Sequence, residues 1–283
     1  MLQTNRIING DCIEVMKTFP EGSIDLIVTS PPYNAGIEYD TYNDTKSMEE
    51  YWDFTRQWLK ESLRVLKDDG RIAVNVPIEM NVQDRGGRIL FNAEFYTIMK
   101  EVGFNYFGTV DLTENSPHRV RQTAWGSWMS PSSPYIYNPK ECVILGYKKL
   151  KVKKTKGEPQ WTGVPTEVEQ EDGTTKTKIV YNDEDKKEFM NLVFGRWEYF
   201  ADTKSLTKAT FSMDIPDKAI KILTYKNDIV LDPFAGSGTS CVAAEILGRR
   251  WIGIELSPTY SEIARNRVNL FVEKKKQLEL ELK

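Results

Sequence analysis

Val230-Leu231-Asp232-Pro233-Phe234-Ala235-Gly236-Ser237-Gly238-Thr239 decides how this chain reads. Branched apolar residues run into an acid, two glycines flank a serine, and a threonine can open a helix. The pattern is strand, glycine turn, helix start. Glycine lets backbone approach a ligand closely, and open α/β sheets bind ligands at the carboxyl ends of their strands. A bare G-x-G is also compatible with a tight turn and a capping threonine. A second apolar strand, Trp251–Glu255, ends in an acid 23 residues after Asp232, the spacing that suits a ribose hydroxyl pair. A dinucleotide site is the rival. Against it, the spacing is not G-x-G-x-x-G, and a carboxylate beside the turn suits a cationic amino group better than a phosphate. The stretch therefore points to a cofactor derived from an amino acid such as methionine.

Outward from this point the periodicity alternates between strand and helix. Downstream come a helix at Thr239–Leu247, the strand at Trp251–Glu255 and a helix at Thr259–Leu270 that the lysine- and leucine-rich tail extends. Upstream lie strand Ile229–Asp232 and helix Ala219–Leu223. The amino-terminal part gives strand Arg6–Asn9, helix Ile13–Thr18 and strand Asp25–Thr29. Ser47 with Glu50 makes a capping box for a helix running to about Leu66. Asp68-Asp69-Gly70 turns the chain into strand Arg71–Val76. A helix at Phe91–Val102 stops at Gly103, and Phe104–Leu112 and Cys142–Lys148 read as strands. Such alternation predicts a mostly parallel sheet covered on both faces. Thr113–Glu141 is long, aromatic and proline-rich, which marks a functional loop. From Lys149 to about Lys187 Lys, Glu, Thr and Gly dominate, as in an insertion, with one strand at Thr177–Tyr181.

The second informative stretch is Thr29-Ser30-Pro31-Pro32-Tyr33-Asn34, directly after a buried strand. Two prolines fix the backbone and remove two N–H donors, leaving carbonyls to accept. A serine hydroxyl can accept too, and an aromatic ring follows. Together they form a rigid acceptor site beside a stacking face, which is what an exocyclic amine on a planar base requires. A proline-rich turn with no chemistry is the plain alternative.

Thr29–Tyr33 together with Asp232–Thr239 resembles the amino-methylating DNA methyltransferases, in which SPPY is typical of cytosine and DPPY of adenine. The catalytic motif precedes the glycine loop, with a variable segment between, as in the permuted beta group. The resemblance implies an α/β Rossmann-like class I methyltransferase fold. Its sheet would be mostly parallel and seven-stranded with an antiparallel hairpin, and a target-recognition region would be inserted. On that pattern residues 1–149 form the catalytic part, 150–204 the recognition insertion and 205–283 the cofactor-binding part. The resemblance makes Ser30, Pro31, Pro32 and Tyr33 catalytic. It places S-adenosyl-L-methionine against Asp11 with Cys12 beside it, Thr210-Phe211-Ser212, Asp232, Pro233, Phe234, Gly236, Gly238, Thr239, and Glu255 with Leu256. One departure is Lys140-Glu141, where related sequences often carry His-Glu.

The implied reaction is direct transfer to the N4 amine of cytosine in double-stranded DNA after base flipping. Adenine N6 is the alternative, because Ser30 does not read the ring. A protein or RNA methyltransferase would more often show Asn-Pro-Pro-Tyr, and a non-enzymatic relative would not keep both motifs. Arg119, Arg121, Trp125, Trp128, Lys151, Lys153 and Lys154 are candidate DNA contacts; a packed loop and a solvated linker are the plain readings. The net charge of -3 does not by itself announce nucleic acid, though it can conceal a local basic patch. Cys12, Cys142 and Cys241 lie far apart, which fits a reducing cytoplasm in a prokaryotic or phage setting rather than a disulfide framework. With the single histidine His118 they offer no metal site, and no apolar run is long enough to span a membrane. A monomer or homodimer, with a cognate restriction endonuclease as a candidate partner, completes the expectation.

Overall fold

A computed structural model describes residues 2–37, 41, 44–82, 87–114, 127, 129–133, 140–169, 174–200 and 212–281, with backbone alone at 275, 276 and 278–281. The elements are β1 (Arg6–Asn9), α1 (Cys12–Lys17), β2 (Ile24–Thr29), α2 (Met48–Val65), β3 (Leu66–Pro77), β4 (Met80–Val82), β5 (Gly87–Ile89) and α3 (Phe91–Val102). They continue with β6 (Asn105–Glu114), β7 (Glu141–Tyr147), β8 (Val164–Glu169), β9 (Thr175–Val180), α4 (Asp183–Val193), β10 (Arg196–Tyr199), α5 (Asp214–Leu223), β11 (Ile229–Asp232), α6 (Thr239–Ile246), β12 (Arg250–Glu255) and α7 (Pro258–Glu281).

The central sheet has the order β1-β12-β11-β2-β3-β7-β6-β10. β1, β12, β11, β2 and β3 run parallel, so their carboxyl ends share one edge. β7 runs antiparallel between β3 and β6. One face is covered by α1, α2 and α3, whose Met16, Trp58, Leu59, Phe91 and Phe95 are buried together. The other holds α5, α6 and α7, with Ile220, Val242 and Ala264 in the core. α2 starts where the sequence places it: Ser47 Oγ accepts from the Glu50 amide, and the Glu50 carboxylate reaches back to the Ser47 amide.

The sheet is eight-stranded among the described residues, not seven-stranded. The added strand is β10, which pairs parallel with β6. Its Trp197 is buried and donates to the Leu192 carbonyl at 2.8 Å. The end of the 150–204 segment thus belongs to the main sheet, whereas β8 and β9 form a separate exposed hairpin.

The start of that segment is tied to the amino-terminal edge of the sheet. Lys153 Nζ lies 3.1 Å from Asp228 and 3.5 Å from Asp25, with its side chain 5% exposed. The amides of Lys154 and Thr155 donate to Asp69 Oδ2 at 2.8 and 2.9 Å. Lys148 is buried as well, donating to the Leu66 and Arg64 carbonyls at the end of α2, where a cation suits the helix C-terminus.

Candidate active site

The carboxyl edge of the sheet gathers the cofactor candidates from β1, β2, β11 and β12. β11 and β2 are neighbours, and Thr29 Oγ1 donates to Asp232 Oδ1 at 2.7 Å. The Phe234 amide donates to the same oxygen at 3.0 Å. Asp232 is only 1% exposed. Burial pushes its carboxyl above the usual range, against these hydrogen bonds. The carboxylate therefore sits beneath the turn and joins the two strand ends. Both hydrogen bonds fall on Oδ1.

Above it, Gly236 has φ +52, and a side chain there would enter open space. Its amide donates to Glu255 Oε2 at 2.8 Å, while Glu255 Oε1 accepts from the Ser257 amide at 2.9 Å. Gly238, at φ +80, lets the start of α6 close on Ala264, 3.2 Å from where a Cβ would stand. Arg267 Nη1 donates to Thr239 Oγ1 at 2.9 Å and Ser237 Oγ at 3.0 Å, fixing the back of the turn. Pro233 is buried; the Phe234 ring is half-buried and meets Trp58 edge-on at 5.3 Å. Asp11 Oδ1 caps α1 through the Ile13 and Glu14 amides. Asn9 Nδ2 donates to the carbonyls of Glu255 and Leu256, each at 2.9 Å, which locks β1 to the end of β12.

Cys12 is buried beneath this edge, and burial with the nearby Asp11 charge pushes its thiol far up. Cys241 is shifted likewise, so both buried thiols are held in the protonated, weakly nucleophilic form. Ser212 is buried at the start of α5; Thr210 and Phe211 lie outside the described residues. The space that a Cβ on Gly236 would enter is open, at the carboxyl edge of the sheet where α/β proteins bind ligands.

The acceptor loop leaves β2 next to this space. Ser30 Oγ is 2.7 Å from Tyr33 Oη. Tyr33 Oη also accepts from Asn75 Nδ2 at 2.9 Å and donates to the Asn75 carbonyl at 3.1 Å. The Pro32 carbonyl accepts from Tyr51 Oη at 3.0 Å. Beyond Tyr33 the chain wraps a carboxylate. Asp44 accepts from the amides of Asn34, Ala35 and Ile37 at 2.9–3.0 Å, and Asn34 takes φ +60. Asp44 and Asn75 are polar residues held against the loop that sequence reasoning did not single out. Asn75 left a trace as an amide inside an apolar strand, and Glu141 stands in the Lys140-Glu141 pair that leads into β7.

Of the DNA candidates, Arg119, Arg121, Trp125 and Trp128 lie outside the described residues. Lys151 and Lys154 are exposed. Lys153 is a correction: it is consumed by two buried carboxylates and has no charge to offer a phosphate.

The parallel sheet with one antiparallel strand, and the glycine turn at the ends of its middle strands, define a class I S-adenosyl-L-methionine-dependent methyltransferase. The chain belongs to the N6/N4 DNA methylase family, whose model matches residues 24–266. It is 38% identical over 198 residues to the type II methyltransferase M.MjaVI of Methanocaldococcus jannaschii, covering 70% of this chain and 87% of that protein. Among solved structures, a DNA modification methylase of Thermus thermophilus complexed with S-adenosyl-L-methionine superposes with a TM-score of 0.67 at 24% identity, covering 95% of this chain and 94% of that one. The PvuII DNA methyltransferase, described as cytosine-N4-specific, superposes at 0.65 with 18% identity, covering 97% and 93%. Both share its fold. S-adenosyl-L-methionine is the cofactor.

The place of Asp232 gives a direct test. Asp232→Ala should weaken binding of S-adenosylhomocysteine about tenfold or more, because two hydrogen bonds to a buried carboxylate hold the turn. Asp232→Asn, which keeps an acceptor there, should retain most of the affinity in calorimetry. An equal loss in both variants would mean that the charge itself meets the cofactor.

Proposed function

We propose that this DNA methyltransferase modifies the N4 amine of cytosine in double-stranded DNA at a specific site, with the base turned out of the duplex. The observation that carries this reading is Ser30 at the head of a proline-locked acceptor loop beside the cofactor turn. The cofactor supplies an electrophilic methyl group on a sulfonium, so the protein mainly orients the amine and balances its charge. Ser30 Oγ and the Pro31 carbonyl take the two N–H groups and turn the nitrogen lone pair toward the cofactor turn. As the nitrogen becomes positive, both oxygens stabilise it until a proton leaves. The ring of Tyr33 is the stacking face. Lys151 and Lys154, with Arg119, Arg121, Trp125 and Trp128, are the proposed DNA contacts, and Asp11, Glu255 and Phe234 the proposed cofactor contacts. The type II relative supports a role in restriction–modification beside a cognate endonuclease.

Incubation of unmethylated DNA with the enzyme and the cofactor, then mass spectrometry of the digested nucleosides, tests the base. N4-methyldeoxycytidine is expected. N6-methyldeoxyadenosine alone would move the target to adenine and leave the acceptor mechanism standing.

A further inference from the structure

Behind the acceptor loop lies a buried polar chain that the sequence did not announce. Tyr33 Oη faces three polar atoms: Ser30 Oγ at 2.7 Å, Asn75 Nδ2 at 2.9 Å and the Asn75 carbonyl at 3.1 Å. It has one proton to give. The amide nitrogen only donates and the carbonyl only accepts. One assignment makes all three contacts hydrogen bonds: Asn75 Nδ2 donates to Tyr33, Tyr33 donates to the Asn75 carbonyl, and Ser30 donates to Tyr33. The only proton of the Ser30 hydroxyl is then spent inside the protein. Toward the crevice its oxygen can only accept, which is the state an incoming amine needs.

This assignment depends on which way the Asn75 amide faces. Its second N–H donates to Glu141 Oε2 at 2.7 Å, a charge-assisted bond. Asn75 is 2% exposed, and its buried Oδ1 has no hydrogen-bond partner among the described residues. A neutral neighbour would let the amide turn over to satisfy that oxygen. A carboxylate forbids it, since Oδ1 would then face Glu141 and two carbonyl oxygens would compete for the Tyr33 proton. The strand register makes the chain possible: β7 runs against β3, with Pro77 opposite Glu141 and Asn75 opposite Val143.

We propose that Glu141 and Asn75 are positioning residues for methyl transfer, the carboxylate holding the amide so that Tyr33 fixes Ser30 as a pure acceptor. This rests on the reading of Ser30 as the amine's acceptor. The ionised form of Glu141 is the working one. Burial raises its carboxyl above the usual range, with Glu114 of β6 adding negative charge nearby. Tyr33 from the loop and Tyr199 of β10 feel the same carboxylate. Once protonated, Glu141 can donate to the turned-over Oδ1, and the fixed order of protons is lost. The transfer rate should therefore fall on the acid side, at a pH above that of an ordinary glutamate.

The experiment is single-turnover methylation of unmethylated DNA between about pH 5 and 9 by wild type, Glu141→Gln and Ser30→Ala, with cofactor affinity measured beside it. Glu141→Gln should transfer about tenfold more slowly at neutral pH, bind cofactor and DNA within about twofold of wild type, and lose the acid limb. A Gln variant with the wild-type rate and acid limb would overturn the proposal. So would a loss of rate matched by an equal loss of cofactor affinity, which marks a merely structural role. If that variant does not fold, the wild-type profile still decides: a rate flat to about pH 5 overturns the proposal. Ser30→Ala separates the two levels. A normal rate there would sink the acceptor loop itself, whereas a slow Ser30→Ala beside a normal Glu141→Gln would sink the positioning role alone.

Discussion

Replacing Ser30 with alanine should lower the single-turnover rate of methyl transfer by about a hundredfold or more, because an oriented polar group facing developing charge is worth ~3–4 kcal/mol of barrier. The loop itself should survive. Pro32 stays bonded to Tyr51, and the segment after Tyr33 stays wrapped around Asp44. Tyr33 keeps both contacts to Asn75. Cofactor affinity should hardly move, since Asp11, Gly236 and Glu255 stand on other elements. Rapid-quench measurement with labelled cofactor reads the transfer step apart from product release. The comparison with Tyr33→Phe sharpens the argument. That change keeps the stacking face, worth ~1–3 kcal/mol per base, yet removes the hydroxyl that takes the Ser30 proton. Its rate should fall between wild type and Ser30→Ala. A Ser30→Ala enzyme that transfers at the normal rate would remove the loop from the chemistry.

What could be read from the sequence follows from where the information sits. β1, α3 and β11 stand where their patterns put them, and the Ser47–Glu50 capping box is formed. Each is a local signal: an apolar run, a 3.6-residue period ended by glycine, a hydroxyl three residues before an acid. β10 is only four residues long, and its Trp197 and Tyr199 gain meaning from the edge of β6 to which they add. The three-residue β4 and β5 pair is missed for the same reason. The motif residues of the site were legible because glycine, proline and terminal acids constrain backbone on their own. The pairing of Asn75 with Glu141 was not. They are 66 positions apart and meet only because antiparallel register aligns them. Asp44 collects the amides of a loop that turns back on it, a contact no local pattern encodes. A run of lysines reads as a solvated surface because charge runs usually are, yet the Lys153 side chain is buried against two carboxylates.

Lys153→Met should destabilise the fold by about 3–5 kcal/mol, the usual loss when one partner of a buried ion pair is removed. Its ammonium sits between Asp25 and Asp228, carboxylates that are 0% and 9% exposed in their side chains. Asp25 would keep Lys67 at 2.7 Å and the Ile229 amide at 2.9 Å. Asp228 would keep the Tyr225 amide at 2.9 Å, still facing the charge of Asp25. Burial, and then that charge, already raise the Asp228 carboxyl above its ordinary value. The sign of the pH dependence follows. A carboxyl whose folded pKa lies above its unfolded one binds more protons when folded, so its penalty is full at high pH and is relieved as pH falls through the folded value. Loss of Lys153 raises that value further. The stability deficit of Lys153→Met should therefore be largest near neutral pH and shrink toward the carboxylate range. Thermal denaturation of wild type and variant at about pH 5.5 and 8 measures it, at roughly 2–4 °C per kcal/mol for a chain somewhat smaller than this one. An unchanged melting temperature with weakened DNA binding would return Lys153 to the surface role its neighbours suggest. The expected deficit instead makes it the peg that fixes where Lys151 and Lys154, exposed on either side, present their charge.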